Sequence, residues 1–251
     1  MKTRIPTLLS VCLLAAGASL SADRIPIEDG MAEFDVPGSE TITFAFQHHR
    51  ADIEIIGHDA NVVRIEVAND SHEPFASFLD WDEARRNLRL DLSNSPGTRS
   101  VRIWLPYQSG INLQGVESEV TVKDIRGNAV VRLVNGDLGM DGASGAILVE
   151  LVNGNATVKP VVSSSTEPIS IMSQNGDISL IVPKDFRGTA NMNTVAGEIT
   201  CDLPGADATG PSAKSHAVNL GPMSRLTTPI NGGGRPVILN TVNGDIELRT
   251  P

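Results

Sequence analysis

Four acidic residues, Asp137, Asp177, Glu198 and Asp245, each follow a glycine within a short phrase that recurs along the chain. Stacked at strand spacing, about 5 Å, their carboxylates would form a column able to hold a hard cation such as calcium. The same residues have a plainer use, because an Asp at a bend accepts hydrogen bonds from nearby backbone N–H groups. That second use is the expectation: Asn155 interrupts the column, and the nonapeptide pattern of calcium-binding rolls is absent. No metal, cofactor or catalytic residue is assigned to the column.

His48, His49, His58 and Asp59 could be drawn as a second metal cluster. No further His or Cys falls at a recognised ligand spacing, and His48 and His49 point to opposite sides of a strand. They read as polar residues near strand edges, and His72 and His216 as loop residues. The chain has no G-x-S-x-G elbow, no Cys/His nucleophile pair and no phosphate loop. The enzymatic alternative is a polysaccharide-processing enzyme on a parallel β-helix. Such a groove needs converging acids and aromatic platforms, yet Tyr107 is the sole tyrosine, and Trp81 and Trp104 lie outside the repeats. Cys201 occupies the place held by Met140, Val158, Leu180 and Leu248 in other repeats, so it reads as a buried, inert thiol.

The phrase that carries the acids defines the architecture. Val134-Asn135-Gly136-Asp137-Leu138 returns as Val152-Asn153-Gly154-Asn155-Ala156, Gln174-Asn175-Gly176-Asp177-Ile178, Val195-Ala196-Gly197-Glu198-Ile199 and Val242-Asn243-Gly244-Asp245-Ile246. Val116-Glu117-Ser118-Glu119-Val120 is a weaker first copy. An Asn-Gly pair serves either as a two-residue hairpin turn or as a corner that stacks on equivalent corners. A repeat of about 20 residues favours the stacked corner, in which each unit buries its apolar face on its neighbours. The fold class expected is all-β, a β-solenoid-like stack of short strands over 110–251, after an N-terminal β region over 23–109.

Within 42–105 the alternation of Ala51-Asp52-Ile53-Glu54-Ile55 and Val63-Arg64-Ile65-Glu66-Val67 predicts an antiparallel-looking pair joined by a turn over 57–61. Leu88-Arg89-Leu90-Asp91-Leu92 and Val101-Arg102-Ile103-Trp104-Leu105 form another alternating pair. Residues 73–86 lack alternation and are expected as a helical turn or a loop. The corner phrase is missing between 202 and 240, where Pro and Gly crowd. The stretch 202–234 is therefore expected to be a long loop over one coil and the mobile contact element.

Lys2 and Arg4, the apolar run 8–18 and small residues before Asp23 predict a secretory signal peptide over 1–22, cut after Ala22 in preference to Ala18. The run is short for a membrane span. Cys12 follows Val11 inside that run, where a lipid-modified cysteine would want a small residue before it. After cleavage Cys201 stands alone, so no internal disulfide can form. Loss of Lys2 and Arg4 with the leader takes the formal charge from −10 to −12. So acidic a surface, with few aromatics, excludes nucleic acid as a partner.

The chain resembles a bacterial family of unknown function labelled putative adhesin, whose signature is a run of short β units carrying V-x-G-D-[IV]-x-[LV]. The resemblance covers 44–248 and includes the ending Gly232-Gly233-Gly234-Arg235-Pro236-Val237-Ile238-Leu239-Asn240-Thr241-Val242-Asn243-Gly244-Asp245-Ile246. It implies a β-solenoid-like fold and an envelope location, periplasmic or at the cell surface, and no catalytic residue. The function expected is an exported, non-catalytic interaction module, its partner an envelope protein, a glycan or another copy of itself. Outward side chains such as Ser179, Thr200 and Glu247 would make the contact.

Overall fold

The computed structural model of the chain describes residues 23–28, 30–36, 41–69, 78–92, 99–161, 166–203, 218–219 and 223–251. The expected leader with Cys12, as well as His72, His216 and most of 202–222, lies outside them. Twenty-one strands and no helix occur among the described residues, as the period-two alternation requires. No described helix is long and apolar enough to cross a membrane.

The chain enters through β1 (Asp23–Pro26), β2 (Met31–Asp35), the long β3 (Thr43–His58) and β4 (Val62–Asn69). β5 (Phe78–Asp82), β6 (Asn87–Leu92) and β7 (Arg99–Pro106) follow. Coils come next, each made of two strands. They are β8 (Gly110–Glu117) with β9 (Val120–Lys123), β10 (Ala129–Asn135) with β11 (Leu138–Ala143), and β12 (Ile147–Asn153) with β13 (Ala156–Pro160). β14 (Ile169–Asn175) pairs off with β15 (Ile178–Ile181), and β16 (Gly188–Ala196) with β17 (Ile199–Asp202). β18 (Val218–Asn219) and β19 (Ser224–Ile230) precede the last coil, β20 (Arg235–Asn243) with β21 (Ile246–Arg249).

The first strand of each coil joins sheet A and the second joins sheet B, with the recurring phrase at the corner between them. Sheet A runs β1-β5-β6-β3-β8-β10-β12-β14-β20-β16-β19-β18. Sheet B runs β2-β4-β7-β3-β9-β11-β13-β15-β21-β17. The coils pair in parallel, and inward residues form unbroken rows. One row is Leu113, Val131, Val149, Ile171, Leu239 and Met192, all fully buried. The architecture is the expected all-β solenoid. β3 bends from sheet A, where it pairs with β8, into sheet B, where it pairs with β9, so one core runs from the N-terminal strands into the repeats.

Four local expectations are corrected. β3 and β4 are not a hairpin, because β7 lies between them, parallel to β3 and antiparallel to β4. β6 and β7 belong to different sheets and form one coil beside β3. The alternation had specified which face is buried but not which strand lies alongside. Of the stretch 73–86, residues 73–77 lie outside the described residues, 78–82 are strand β5 with Leu79 and Trp81 turned inward, and the turn expected is confined to 83–86, which leads into β6.

The fourth correction concerns 202–234 and the order of the coils. Residues 224–230 form β19, antiparallel to β16, and 231–234 cross over the start of β16 to reach its other flank. β20 and β21 then slot between two coils already laid down, β20 between β14 and β16 and β21 between β15 and β17. The glycine run makes this crossing, with φ of +82° and +84° at Gly232 and Gly233. Asn231 Nδ2 ties it down by donating to the carbonyls of Lys184 and Phe186, each at 2.8 Å. Just beyond it, the buried guanidinium of Arg235 donates to the carbonyls of Glu167 and Gly145. Antiparallel strands, β1, β2, β5 and β19, flank the parallel stack and blunt its edges.

Candidate functional site

The corners are built from the repeated residues, and they account for the acids. Along the stack the order is Asp137, Asn155, Asp177, Asp245 and Glu198, which departs from sequence order because the last coil is inserted. Asp137 Oδ1 accepts from the backbone N–H of Asn155 at 2.7 Å, and Asn155 Oδ1 from that of Asp177 at 2.8 Å. Asp177 does the same for Asp245, and Asp245 for Glu198, both at 2.8 Å. Each of the first four side chains therefore caps the corner of the next coil, Glu198 ends the column, and Asn155 performs the task as well as an acid.

Beside this column runs an asparagine ladder. Asn153 donates to Asn135, Asn175 to Asn153, and Asn243 to Asn175, at 2.7–2.8 Å. Hydroxyls then serve the glycine carbonyls from inside: Ser173 donates to Gly154, Thr241 to Gly176 and Thr194 to Gly244. The repeated polar groups thus satisfy buried or half-buried backbone, as polar atoms near a core must.

The histidines separate. His48 is buried, stacked on Phe46 with ring centroids 5.0 Å apart, and its Nε2 lies 3.1 Å from Ser118 Oγ. It is a core residue and not the strand-edge residue expected. His58, at the far end of β3, accepts from the N–H of Ala60 through Nδ1 at 3.1 Å and shapes the turn. Among the described residues no three His, Cys, Asp or Glu side chains stand close enough to share a cation.

Cys201 lies in register with Leu248 and packs against the core, half-buried where its place in the repeat implies full burial. Burial, and then the charge of Asp202, push its thiol up to about 11. At pH 8 roughly one such thiol in a thousand is ionised, against about one in ten for the unfolded thiol. Alkylation by iodoacetamide at pH 8 is expected to be roughly 100-fold slower in the folded chain than in urea. A rate within tenfold of the unfolded chain would contradict the burial. The unfolded thiol ionises near 9 and the folded one near 11, so the stability linked to Cys201 is intact below pH 9 and falls as pH rises toward 11.

With the corners occupied, the outward side chains remain. On sheet B one row reads Thr121, Gly139, Thr157, Ser179, Glu247 and Thr200. The expected contact residues Ser179, Glu247 and Thr200 all fall in this row, and Ser179 Oγ donates to Glu247 at 3.0 Å. The neighbouring row holds Lys123, Asp141 and Lys159, and beyond them a groove of about 440 Å³ opens beside Val161, Ile181 and Arg249.

At the N-terminal end of the same face stands a cluster that sequence reasoning passed over. The guanidiniums of Arg64 and Arg102 lie 5.3 and 5.7 Å from the Trp104 ring centre. Glu54 accepts from Arg102 and from Lys123, each at 2.8 Å. Its carboxyl is held below the usual range, first by the bond from Lys123 and then by that from Arg102. The signal was present in the alternation: Arg102 and Trp104 sit at outward positions of β7, and Arg64 at an outward position of β4.

No family model matches the chain, and no curated protein matches it in sequence. Among solved structures it is similar to a putative cell adhesion protein from Clostridium sporogenes ATCC 15579, with 10% identity and a TM-score of 0.50. The likeness covers 90% of this chain and 100% of that one. At such identity it is a likeness of fold.

Proposed function

We propose that the protein is an exported, non-catalytic β-solenoid of the cell envelope, periplasmic or at the cell surface, that presents the outer face of sheet B to an envelope protein or a glycan. The observation that carries this reading is the use made of the repeated polar residues. Asp137, Asp177 and Asp245 each cap the next corner's backbone. What the repeats share builds a scaffold, and what varies between them lies on the outer faces. Glycan cleavage would need two carboxyls free to flank a bond, and these carboxyls are turned to backbone N–H groups.

The proposed contact runs from the Trp104 cluster along the hydroxyl row. Trp and Arg dominate the centres of binding surfaces, and hydroxyls repeated at strand spacing suit a polymer or a protein surface. The leader-like residues 1–22 support export, and the name given to the structural neighbour agrees with adhesion. Residues 224–234 form β19 and the crossover instead of the long loop expected, and the proposed contact is not placed on them.

The test is cross-linking in living cells, then affinity purification and mass spectrometry of the captured partner. Trp104→Ala is expected to reduce capture of a reproducible partner at least about tenfold, the loss of one central anchor, with the melting temperature little changed. Undiminished capture by that variant would remove this face from the proposal.

A further inference from the structure

The outer face of sheet A differs in kind from that of sheet B. β10 presents Val130, Arg132 and Val134, and β12 presents Leu148, Glu150 and Val152 in matching register. Val134, Val152, Val195, Val242 and Ile238 are 38–43% exposed and gather on this one face. Between the aliphatic group of β10 and β12 and that of β20 and β16, β14 presents Met172 with Ser170 and Gln174 on either side, and Asn240 and Asn193 continue the Met172 row. Single exposed aliphatics are ordinary, but so many gathered on one face, interleaved with polar side chains, suit an interaction surface. At its centre Arg132 Nε donates to Glu150 Oε2.

We propose that this face joins two copies of the chain, sheet A against sheet A, about a two-fold axis that lies parallel to the strands between β10 and β12. That operation sets Val130-Arg132-Val134 of one copy over Leu148-Glu150-Val152 of the other. Each arginine meets a glutamate, and aliphatic side chains meet on both sides, so the face is complementary to itself. An axis along the stack would place Arg132 over Arg132 and is disfavoured. About this axis β8 faces β14, β3 faces β20 and β6 faces β16, so eight strands from β6 to β16, about 4.8 Å apart and about 20 Å long, give a face on the order of 750 Å² in plan. A standard stable interface takes about 800 Å² of accessible surface from each partner, which a ridged face of this size supplies. A two-fold contact of this kind closes on itself and does not propagate into a fibre. The opposite face stays open, so the proposal stands or falls apart from the partner assigned to sheet B.

Sedimentation equilibrium of the purified chain between 1 and 100 µM tests it, with a dimer expected. Glu150→Arg places four like charges at the centre and is expected to weaken association roughly a hundredfold. The double variant R132E/E150R exchanges the charges and is expected to restore the dimer. Val152→Arg supplies an independent disruption at an exposed position, and Thr157→Arg on sheet B is expected to leave association unchanged. Circular dichroism melts confirm that each variant is folded. A wild-type chain that stays monomeric at 100 µM overturns the proposal, including one that instead sediments with phosphatidylglycerol vesicles. A folded double variant as monomeric as Glu150→Arg overturns it too.

Discussion

Alanine at Gly176 is expected to lower the melting temperature by roughly 4–20 °C, whereas alanine at Gly139 should leave it within a few degrees. Gly176 sits at a corner with φ +148°, and a Cβ there would lie 2.0 Å from the carbonyl oxygen of Gly154 in the coil beneath. The obstacle is backbone, which no rotamer change can move aside. Shifting the corner would also strain the bond from Gly176 N–H to the Asn243 carbonyl, 2.8 Å long, and the asparagine ladder beside it. Overpacking of this kind costs about 1–3 kcal/mol, and an unfavourable φ adds about 1–2 kcal/mol. For a chain of this size each kcal/mol is about 2–4 °C, which gives the expected range. Gly139 is a strand glycine of the same array, and the nearest atoms to its Cβ would be 4.0 Å away. Thermal melts of both variants check the argument, and a loss below about 4 °C for Gly176→Ala would mean that corners move independently of their neighbours.

That contrast shows what was legible in the sequence. The recurrence of Gly at 136, 154, 176, 197 and 244 announced stacked corners, because close approach of backbone to backbone leaves a mark in residue type. The expected capping role of the acids is what the structure shows, and Asn155 gave it away: an amide oxygen can replace a carboxylate as a backbone acceptor but is a poorer cation ligand. Cys201 could be placed because its neighbours in the register are aliphatic. Pairing order left no such mark. Val195 and Val242 carry nearly the same phrase, so nothing local tells that the later unit lies inside the earlier one. The same gap hid β7 between β3 and β4. Trp104 was missed for a different reason: attention followed the repeats, while its partners Arg64 and Arg102 come from strands outside them and converge only in the folded sheet.

Ending the chain at Gly234 is expected to release far more structure than the residues removed. In a solenoid laid down in sequence order, loss of the terminal coil shortens the stack and leaves the others paired. Here β20 and β21 are interior. β16 pairs with β20 and β19, and β17 pairs with β21, so the coil at 188–202 and the β19 strand hang on the stack through the coil that is lost. Val237, Leu239, Ile246 and Leu248 are fully buried. At about 1.5–3 kcal/mol each they represent on the order of 6–12 kcal/mol of burial, comparable with the whole stability of a typical domain. The asparagine ladder would end at Asn175, and the carbonyls that Arg235 serves, those of Gly145 and Glu167, would lose their donor. Hydrogen exchange read by mass spectrometry provides the check. Amides of 188–202 and 224–230 are expected to lose protection by at least about a hundredfold, while those of 111–158, three coils with partners on both sides, keep most of theirs. If 188–202 stayed protected, β16 would have closed onto β14 in place of β20. The coil order would then be a matter of choice between near-equal corners and not of the crossover at 231–234.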